Sequence, residues 1–351
     1  MRRLPIFFLL DVSESMVGDN LRQLQQGLER LIRSLRTDPH ALETVYLSVI
    51  AFAGKARTLA PLTELAVFYP PRLPIGAGTS LGEALEHLMN EISSSVVRSS
   101  PERKGDWKPV VYLMTDGKPT DDVSAAIARW KRDFAERVTL VAIGIGRQAS
   151  LVALRQITDH VLQLDATSDA DFRRFVDWVT MSVVAQSRSV SSSATGSTGV
   201  NLAKLDDGIL QKISNIEQAA VIDEDFVILA GRCQNTKLPY LIKYERVWQK
   251  IENADFSMNM DQFNLAGVFA LEQDYFDLSD TRGLARTINS DTLVGAPGCP
   301  HCGNAIGFAM CPCGQIMCIR GTGIATCPTC KKESNFGQSD GDGFDVSRAR
   351  G

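Results

Sequence analysis

The segment LPIFFLLDVSES, residues 4–15, changes from an uninterrupted apolar run to a carboxylate and two hydroxyls at alternate positions. Residues 4–10 have the composition of a strand that is covered on both faces, which is typical of a parallel sheet. Asp11, Ser13 and Ser15 follow at the carboxyl end of that strand, where open α/β sheets bind their ligands. The segment therefore predicts a class of fold and the position of a site within it.

The rest of the first half of the chain repeats the alternation of apolar strands and amphipathic helices. Further strands are predicted at 44–52, 109–114, 138–146 and 160–164, and helices at 19–36, 80–98, 121–136 and 169–185. This order is typical of an α/β fold with a doubly wound, mostly parallel sheet and helices on both faces.

The length of 351 residues indicates more than one domain. The Ser/Gly-rich segment SRSVSSSATGSTG begins at residue 187 and predicts a flexible linker. We therefore expect an α/β domain at 1–186, a linker at 187–200, a smaller β-rich domain at 201–334 and a disordered tail at 335–351. A helix is predicted at 202–222, and strands at 225–233, 238–247, 263–271 and 291–295.

Composition and charge exclude several classes of protein. The formal net charge is −4, without the basic excess of a general nucleic-acid binder. No apolar run approaches the ~18 residues that span a bilayer. The apolar run after Arg3 is too short for a signal peptide and is followed by Asp11 and Glu14. We expect a cytoplasmic protein that contacts neither membrane nor nucleic acid.

Two more polar positions are predicted to join the first three at the same edge of the sheet. Thr79 precedes the helix that begins at 80, and Asp116 follows the strand 109–114. Two carboxylates and three hydroxyls suit a hard cation, so the sequence predicts a magnesium or manganese site. Each residue alone is also compatible with a turn or a helix cap.

Seven of the eight cysteines lie between residues 299 and 330, which indicates metal ligation rather than disulfides. Two C-x-x-C pairs predict one structural zinc ion with four thiolate ligands, Cys299, Cys302, Cys327 and Cys330. Cys311, Cys313 and Cys318 then either form a second zinc site, with His301 or as swapped ligands, or are small buried residues. Cys233 is predicted to be a core thiol.

The sequence resembles the von Willebrand factor A domain over residues 4–185. The resemblance rests on DVSES at 11–15, GTSLGEAL around Thr79 and LMTDGKPTDD around Asp116. It implies a metal-ion-dependent adhesion site formed by Asp11, Ser13, Ser15, Thr79 and Asp116, with an open position for an acidic group of a partner. Glu14 departs from the family, which often has glycine there. A partner-contacting rim is expected at Glu14, Met16, Lys118, Asp121 and Asp122.

The order of an A domain, a Ser/Gly linker and a cysteine-rich module resembles the tellurium-resistance-associated TerY type of protein. The resemblance implies a zinc-ribbon-containing TerY-C module and a bacterial stress-response setting with a protein kinase and a metal-dependent serine/threonine phosphatase. We interpret the protein as a non-enzymatic interaction scaffold. The alternatives are a metal-dependent hydrolase and a nucleic-acid-binding adaptor that uses the zinc ribbon.

Overall fold

The computed structural model describes most of the chain, namely residues 2–102, 104–116, 119–145, 151–164, 169–192, 210–212, 226–247, 250–253, 256–259, 262–279, 287–337 and 343–348. The chain divides into two compact units. The first contains nearly all of residues 1–221, and the second contains residues 222–351.

The first unit alternates strands and helices, as the sequence pattern predicts. Its strands are β1 (Leu4–Asp11), β2 (Val45–Phe52), β3 (Ala56–Glu64), β4 (Val110–Thr115), β5 (Thr139–Ile145), β6 (Val161–Leu164) and β7 (Leu210–Lys212). Its helices are α1 (Asp19–Leu35), α2 (Pro39–Thr44), α3 (Leu81–Ser95), α4 (Ser124–Asp133), α5 (Leu151–Ile157) and α6 (Asp169–Ser192). A short 3-10 helix, Glu14–Met16, follows β1.

These strands form one sheet in the order β3-β2-β1-β4-β5-β6-β7, which confirms the doubly wound α/β fold. The five strands from β2 to β6 in this order pair in parallel, and β3 and β7 are antiparallel edges. From β1 the chain winds outward to β2 and β3 and returns to β4 on the other side of β1. The carboxyl ends of β1 and β4 therefore lie at the topological switch point, where ligands bind in open α/β sheets.

Apolar side chains cover both faces of this sheet. On one face, Phe7 and Leu9 of β1 pack with α3, α4 and α5 around the buried Trp130. On the other face, Phe8 and Leu10 are adjacent to apolar residues of α1 and α6. Because successive residues of β1 point to opposite faces, an uninterrupted apolar run is what a sheet between two helical layers requires.

The end of the first unit differs from the prediction. The linker was expected from residue 187, but α6 continues to Ser192. The buried Ser187 hydroxyl lies 2.6 Å from Thr44 Oγ1, so this part of the predicted linker packs against α2. Residues 193–200 lie outside the described residues. Within the predicted helix at 202–222, the described segment is β7, which pairs with β6. No helix among the described residues is long and apolar enough to cross a membrane.

The second unit is rich in β-structure, as predicted. Its described elements are β8 (Phe226–Arg232), β9 (Pro239–Val247), β10 (Lys250–Asn253), β11 (Phe256–Asn259), β12 (Gln262–Ala270), α7 (Tyr275–Leu278), β13 (Thr287–Asn289), β14 (Leu293–Val294), β15 (Ile306–Met310), β16 (Ile316–Ile319), β17 (Gly323–Thr326), β18 (Glu333–Phe336) and β19 (Asp345–Ser347). Its main sheet has the order β14-β12-β9-β8-β16-β15.

The predicted disordered tail at 335–351 is wrong for its described parts. β18 includes Asn335 and Phe336 and pairs with β17. β19 pairs antiparallel with β13, and Val346 is buried in the apolar core of the unit. The polar composition predicted disorder, but Phe336, Phe344 and Val346 pack against the apolar cores of the unit, and both segments pair with a strand.

Gly231 of β8 is required by a close approach to the opposite strand. A Cβ at this position would lie 2.4 Å from the ring of Tyr240, which is buried and donates a hydrogen bond to Gly307 O at 2.5 Å.

We predict that Gly231→Ala lowers the free energy of unfolding of the second unit by about 1–3 kcal/mol, as overpacking does. Chemical denaturation with zinc present measures this. Gly321→Ala, which has open space around its Cβ, is the control and should stay within about 0.5 kcal/mol of the wild type. Equal effects of the two substitutions would contradict the prediction.

Candidate metal sites

The first candidate site lies at the switch point of the α/β sheet. β1 ends at Asp11 and the parallel β4 ends at Thr115, with Leu10 paired to Met114. Asp116 therefore emerges beside Asp11. Thr79 precedes α3, and the amide of Ser80 donates to Ala53 O just beyond β2. All five predicted ligands therefore lie in loops at one edge of the sheet. Two of these loops follow the carboxyl ends of β1 and β4, and the third leads from the end of β2 into α3.

Hydrogen bonds connect four of the five predicted ligands. Asp11 Oδ1 accepts from the Ser13 amide at 2.9 Å. The hydroxyls of Ser13 and Ser15 are 2.9 Å apart, and Ser15 Oγ donates to Asp116 Oδ1 at 2.8 Å. Asp11, Ser13 and Ser15 are buried and Asp116 is half-buried. The alternating D-x-S-x-S spacing thus turns three side chains toward one point and brings them to Asp116.

Thr79 is positioned by the segment that follows β4. Its amide donates to Thr120 Oγ1 at 2.9 Å, and its carbonyl accepts from the Thr120 amide at 2.8 Å. The side chain is 1% exposed, and Oγ1 has no hydrogen-bond partner among the described residues. A buried hydroxyl without a partner is costly and calls for an explanation. A cation at this edge would provide the missing contact, so the residues fit the implied metal.

The electrostatics of Asp11 agree with this interpretation. Burial raises the pKa of Asp11 to about 6, while hydrogen bonds from Ser13 and Thr115 act in the opposite direction. A neighbouring positive charge favours the ionised carboxylate, so a bound cation would offset the burial. Thr115 Oγ1 donates to Asp11 Oδ2 at 2.5 Å and orients the carboxylate. The sequence analysis assigned no role to Thr115 or Thr120, although both lie in the motif LMTDGKPTDD.

The predicted partner-contacting rim is only partly compatible with the structure. Glu14 and Met16 are both 0% exposed, because the 3-10 turn after Ser13 directs them inward, and the expectation that they contact a partner is wrong. Asp121 is half-buried and accepts from the amides of Gly82 and Glu83, so it caps α3. Asp122 is exposed and accepts from the Ser124 amide. Lys118 lies outside the described residues.

The second unit brings all eight cysteines into two clusters. We call Cys233, Cys299, Cys302 and Cys318 the inner cluster, and Cys311, Cys313, Cys327 and Cys330 the outer cluster. Within each cluster the four sulfur atoms lie within 4.8 Å of one another. The measured Sγ–Sγ distances include 3.7 and 3.9 Å in the inner cluster and 3.7 and 3.8 Å in the outer one. A tetrahedral zinc site with Zn–S bonds of about 2.3 Å requires a separation of about 3.8 Å, so both clusters fit zinc.

Four tight turns carry seven of these cysteines. In each turn the carbonyl of the leading cysteine accepts a backbone hydrogen bond from a residue three or four positions later; these pairs are Cys233 with Lys237, Cys299 with Gly303, Cys311 with Gly314, and Cys327 with Lys331. The closing residue has a φ between 63° and 85° in all four turns. Such turns present sulfur atoms and backbone amides to the same point.

The structure corrects the predicted zinc ligands. Cys299 and Cys302 do not share a cluster with Cys327 and Cys330, and Cys233 is not an isolated core thiol. The reason is the parallel pairing of β16 with β8, in which Gly231 and Arg232 pair with Ile316 and Met317. The next position in each strand brings Cys233 to Cys318. Cys311, Cys313 and Cys318 all belong to these clusters, as the alternative with swapped ligands predicted. His301 does not join them and contacts Pro239 O through Nε2 at 2.7 Å.

Burial raises the pKa of Cys299, Cys311 and Cys318, whereas hydrogen bonds to sulfur favour the thiolate form of Cys233 and Cys330. Burial alone would raise the pKa of Cys233, but hydrogen bonds from Thr236 and the Asn235 amide lower it to about 6. A hydrogen bond from the Lys332 amide is the main cause that lowers the pKa of Cys330 to about 7. Cys318 Sγ accepts from the Gln234 amide at 3.3 Å. Such contacts orient the ligands and reduce the cost of deprotonation.

The first unit is an α/β domain with oxygen ligands at its switch point, and the second is a β-rich unit with two cysteine clusters. Together they define the class of protein in which an A domain precedes a metal-binding module. Comparison with family models gives both parts. Residues 6–179 match the von Willebrand factor type A domain, and residues 223–351 match the TerY-C metal binding domain. The chain is thus a von Willebrand factor type A protein with a C-terminal TerY-C domain, as its sequence motifs predicted.

Curated relatives resemble the first domain. Matrilin-1 of Bos taurus is 28% identical over 165 residues, which are 45% of this chain and 29% of that protein. Human matrilin-4 is 25% identical over 165 residues, or 45% of this chain and 25% of that protein. The chain thus spans less than a third of the length of either relative.

Solved structures with a similar fold include proximal thread matrix protein 1 from the mussel byssus, at 22% identity and a TM-score of 0.39 over 52% of this chain and 48% of that one. A von Willebrand factor type A protein from Catenulispora acidiphila has 20% identity and a TM-score of 0.42 over 52% and 43% of the two chains.

Proposed function

We propose that the protein is a non-enzymatic, metal-dependent scaffold for protein–protein interaction. Asp11, Ser13, Ser15, Thr79 and Asp116 hold magnesium or manganese in the A domain, and two zinc ions hold the TerY-C domain together. The observation that carries the proposal is the buried Thr79 hydroxyl, which has no partner among the described residues and lies at the same edge of the sheet as four hydrogen-bonded oxygen ligands.

The oxygen donors explain why the site would need a partner. Two carboxylates and three neutral hydroxyls are five side chains, and the octahedral shell of magnesium requires six ligands. At least one position is therefore left for another ligand. An Asp or Glu side chain of another protein can complete the shell, and charge-assisted contacts of this kind are stronger than neutral ones. The side-chain hydrogen bonds that connect the predicted ligands link Ser, Thr and Asp residues. Asp11 already accepts from Ser13 and Thr115, so it is poorly placed to act as the base of a hydrolase.

We further propose that the scaffold acts in the cytoplasm of a bacterium, in a tellurium-resistance or stress response, with a protein kinase and a metal-dependent serine/threonine phosphatase as partners. The TerY-C match supports this setting. The zinc ions would contribute folding energy rather than chemistry, because each cluster has four thiolates and no open position.

The experiment is a binding titration of the full-length, zinc-loaded protein with the purified kinase and phosphatase. Omission of magnesium should weaken binding of at least one partner by about tenfold or more, the scale of one charged contact of ~1.4 kcal/mol. Asp116→Ala should lose the magnesium dependence, whereas Asp19→Ala, an exposed aspartate outside the site, should keep it. Equal binding with and without magnesium would contradict the proposal, and turnover of phosphoester substrates would favour the hydrolase.

A further inference from the structure

A second cavity of the α/β domain lies at the opposite end of the sheet from the metal site. Its volume is about 340 Å³, and its walls include Lys108 before β4, Thr139 at the start of β5 and His160 before β6. The last turn of α4, with Lys131, and the last turn of α5, with Arg155, complete it. Ligand-binding clefts in proteins typically measure about 300–1,000 Å³, so this cavity is large enough for a small molecule.

The cavity has an excess of positive charge. Lys108, Lys131 and Arg155 line it, against the single carboxylate of Asp159. None of these three cations forms an ion pair within the described part of the chain. Two arginines of α4 that do not line the cavity do form ion pairs: Arg129 pairs with Glu86, and Arg132 pairs with Asp133.

Arg155 is the least exposed of the three cations. It is half-buried, and its buried Nη2 atom has no hydrogen-bond acceptor among the described residues. A guanidinium group presents several N–H donors in a planar fork that matches carboxylate and phosphate oxygens. An oxyanion in the cavity would contact the part of this half-buried side chain that lines the cavity, because the Nη2 atom itself is shielded.

The walls around these cations are rigid, so the cavity is preformed. Trp130 is 1% exposed and stacks on Phe134 with the ring centroids 5.8 Å apart. Thr158 Oγ1 donates to Leu140 O at 2.7 Å, and the Ala142 amide donates to His160 O at 2.9 Å. Little conformational entropy would be lost when a ligand binds to such a site.

We propose that this cavity binds a small polyanion that carries at least two phosphate groups. The Arg155 guanidinium holds one group, and the ammonium groups of Lys108 and Lys131 neutralise the rest. Basic side chains at helix C-termini also stabilise the helices, and that role alone predicts no ligand. A site at this end of the sheet would allow the A domain to respond to a metabolite without competition at the metal.

The test uses full-length, zinc-loaded protein in magnesium-free buffer, with inorganic phosphate and pyrophosphate as probes in isothermal titration calorimetry. Pyrophosphate should bind at least tenfold more tightly than phosphate, and citrate serves as the polycarboxylate arm. Arg155→Gln should weaken pyrophosphate binding at least tenfold, Lys131→Gln should weaken it less, and Arg155→Lys should be intermediate. Arg33→Gln, an exposed arginine of α1, is the matched control and should bind as the wild type does.

Two further measurements keep the result interpretable. Asp116→Ala should bind pyrophosphate like the wild type, which separates this cavity from the metal site. Lys131 is exposed, so Lys131→Gln leaves the fold intact even if Arg155→Gln does not. The proposal is overturned if the wild type binds neither phosphate probe, if citrate binds more tightly than pyrophosphate, or if Lys131→Gln and folded Arg155→Gln both bind like the wild type.

Discussion

Replacing Cys233 with serine should reduce the zinc content of the full-length protein from two ions per chain to one. Cys233 belongs to the inner cluster, where it lies beside Cys318 and is completely buried. A structural zinc site requires four ligands, so the loss of one thiolate removes the ion. Metal analysis of purified protein by mass spectrometry measures the ratio.

The stability of the TerY-C domain should fall with the zinc. Apparent zinc-binding free energies in small zinc modules are about 10–16 kcal/mol, which equals or exceeds the total stability of about 5–15 kcal/mol typical of a domain. We expect the thermal transition of this domain to be lost or strongly lowered in Cys233→Ser, while that of the A domain remains.

Double substitutions separate the two possible pairings of the cysteines. With two clusters, Cys233→Ser combined with Cys299→Ser removes one zinc, because both residues belong to the inner cluster. Cys299→Ser combined with Cys327→Ser removes both. A single site made of Cys299, Cys302, Cys327 and Cys330 does not include Cys233. In that case Cys233→Ser alone would keep the full zinc content of the wild type. Full zinc content in Cys233→Ser would therefore refute the clusters described here.

Thr79→Ala should abolish most of the magnesium or manganese affinity of the A domain without destabilising it. Residues that only orient a metal ligand typically contribute 10–100-fold to affinity, so loss of a direct ligand should cost at least about 100-fold. The metal-free protein should be as stable as the wild type or slightly more so, because the substitution removes a buried hydroxyl without a partner. Calorimetric titration with each cation and denaturation of the metal-free protein measure the two effects.

Thr58→Ala is the matched control for this prediction. Thr58 is also partly buried, but its hydroxyl lies 2.8 Å from His87 Nε2, away from the site. This variant should bind magnesium like the wild type. Thr115→Val, which removes the hydrogen bond to Asp11, should lower affinity by less than Thr79→Ala does. Wild-type magnesium affinity in Thr79→Ala would rule out Thr79 as a ligand.

Local sequence determined much of the α/β domain and of its site. The apolar runs and amphipathic stripes predicted β1, β2, β4, β5 and β6 and the helices α1, α3, α4 and α6, because burial on one or both faces leaves a direct periodic signal. The edge strands β3 and β7 were not predicted. Edge strands are only partly buried, so their apolar pattern is weak; β3 shows this, since none of its residues is fully buried. The position of D-x-S-x-S at the end of an apolar strand predicted the site, because open α/β sheets bind ligands at the carboxyl ends of their strands.

Only the tertiary structure decided which cysteines belong together and which polar groups lack partners. The spacing of C-x-x-C pairs predicts a knuckle, but the partner of a knuckle depends on strand register, and β16 pairs with β8 through contacts distant in sequence. In the same way, the charge of Glu14 and its place after a strand indicate an exposed turn residue, but the 3-10 turn buries its side chain. The burial of Thr79 and the cations around Arg155 arise where segments far apart in the chain meet. Sequence periodicity reports how a segment meets the core, whereas a site depends on where several segments meet one another.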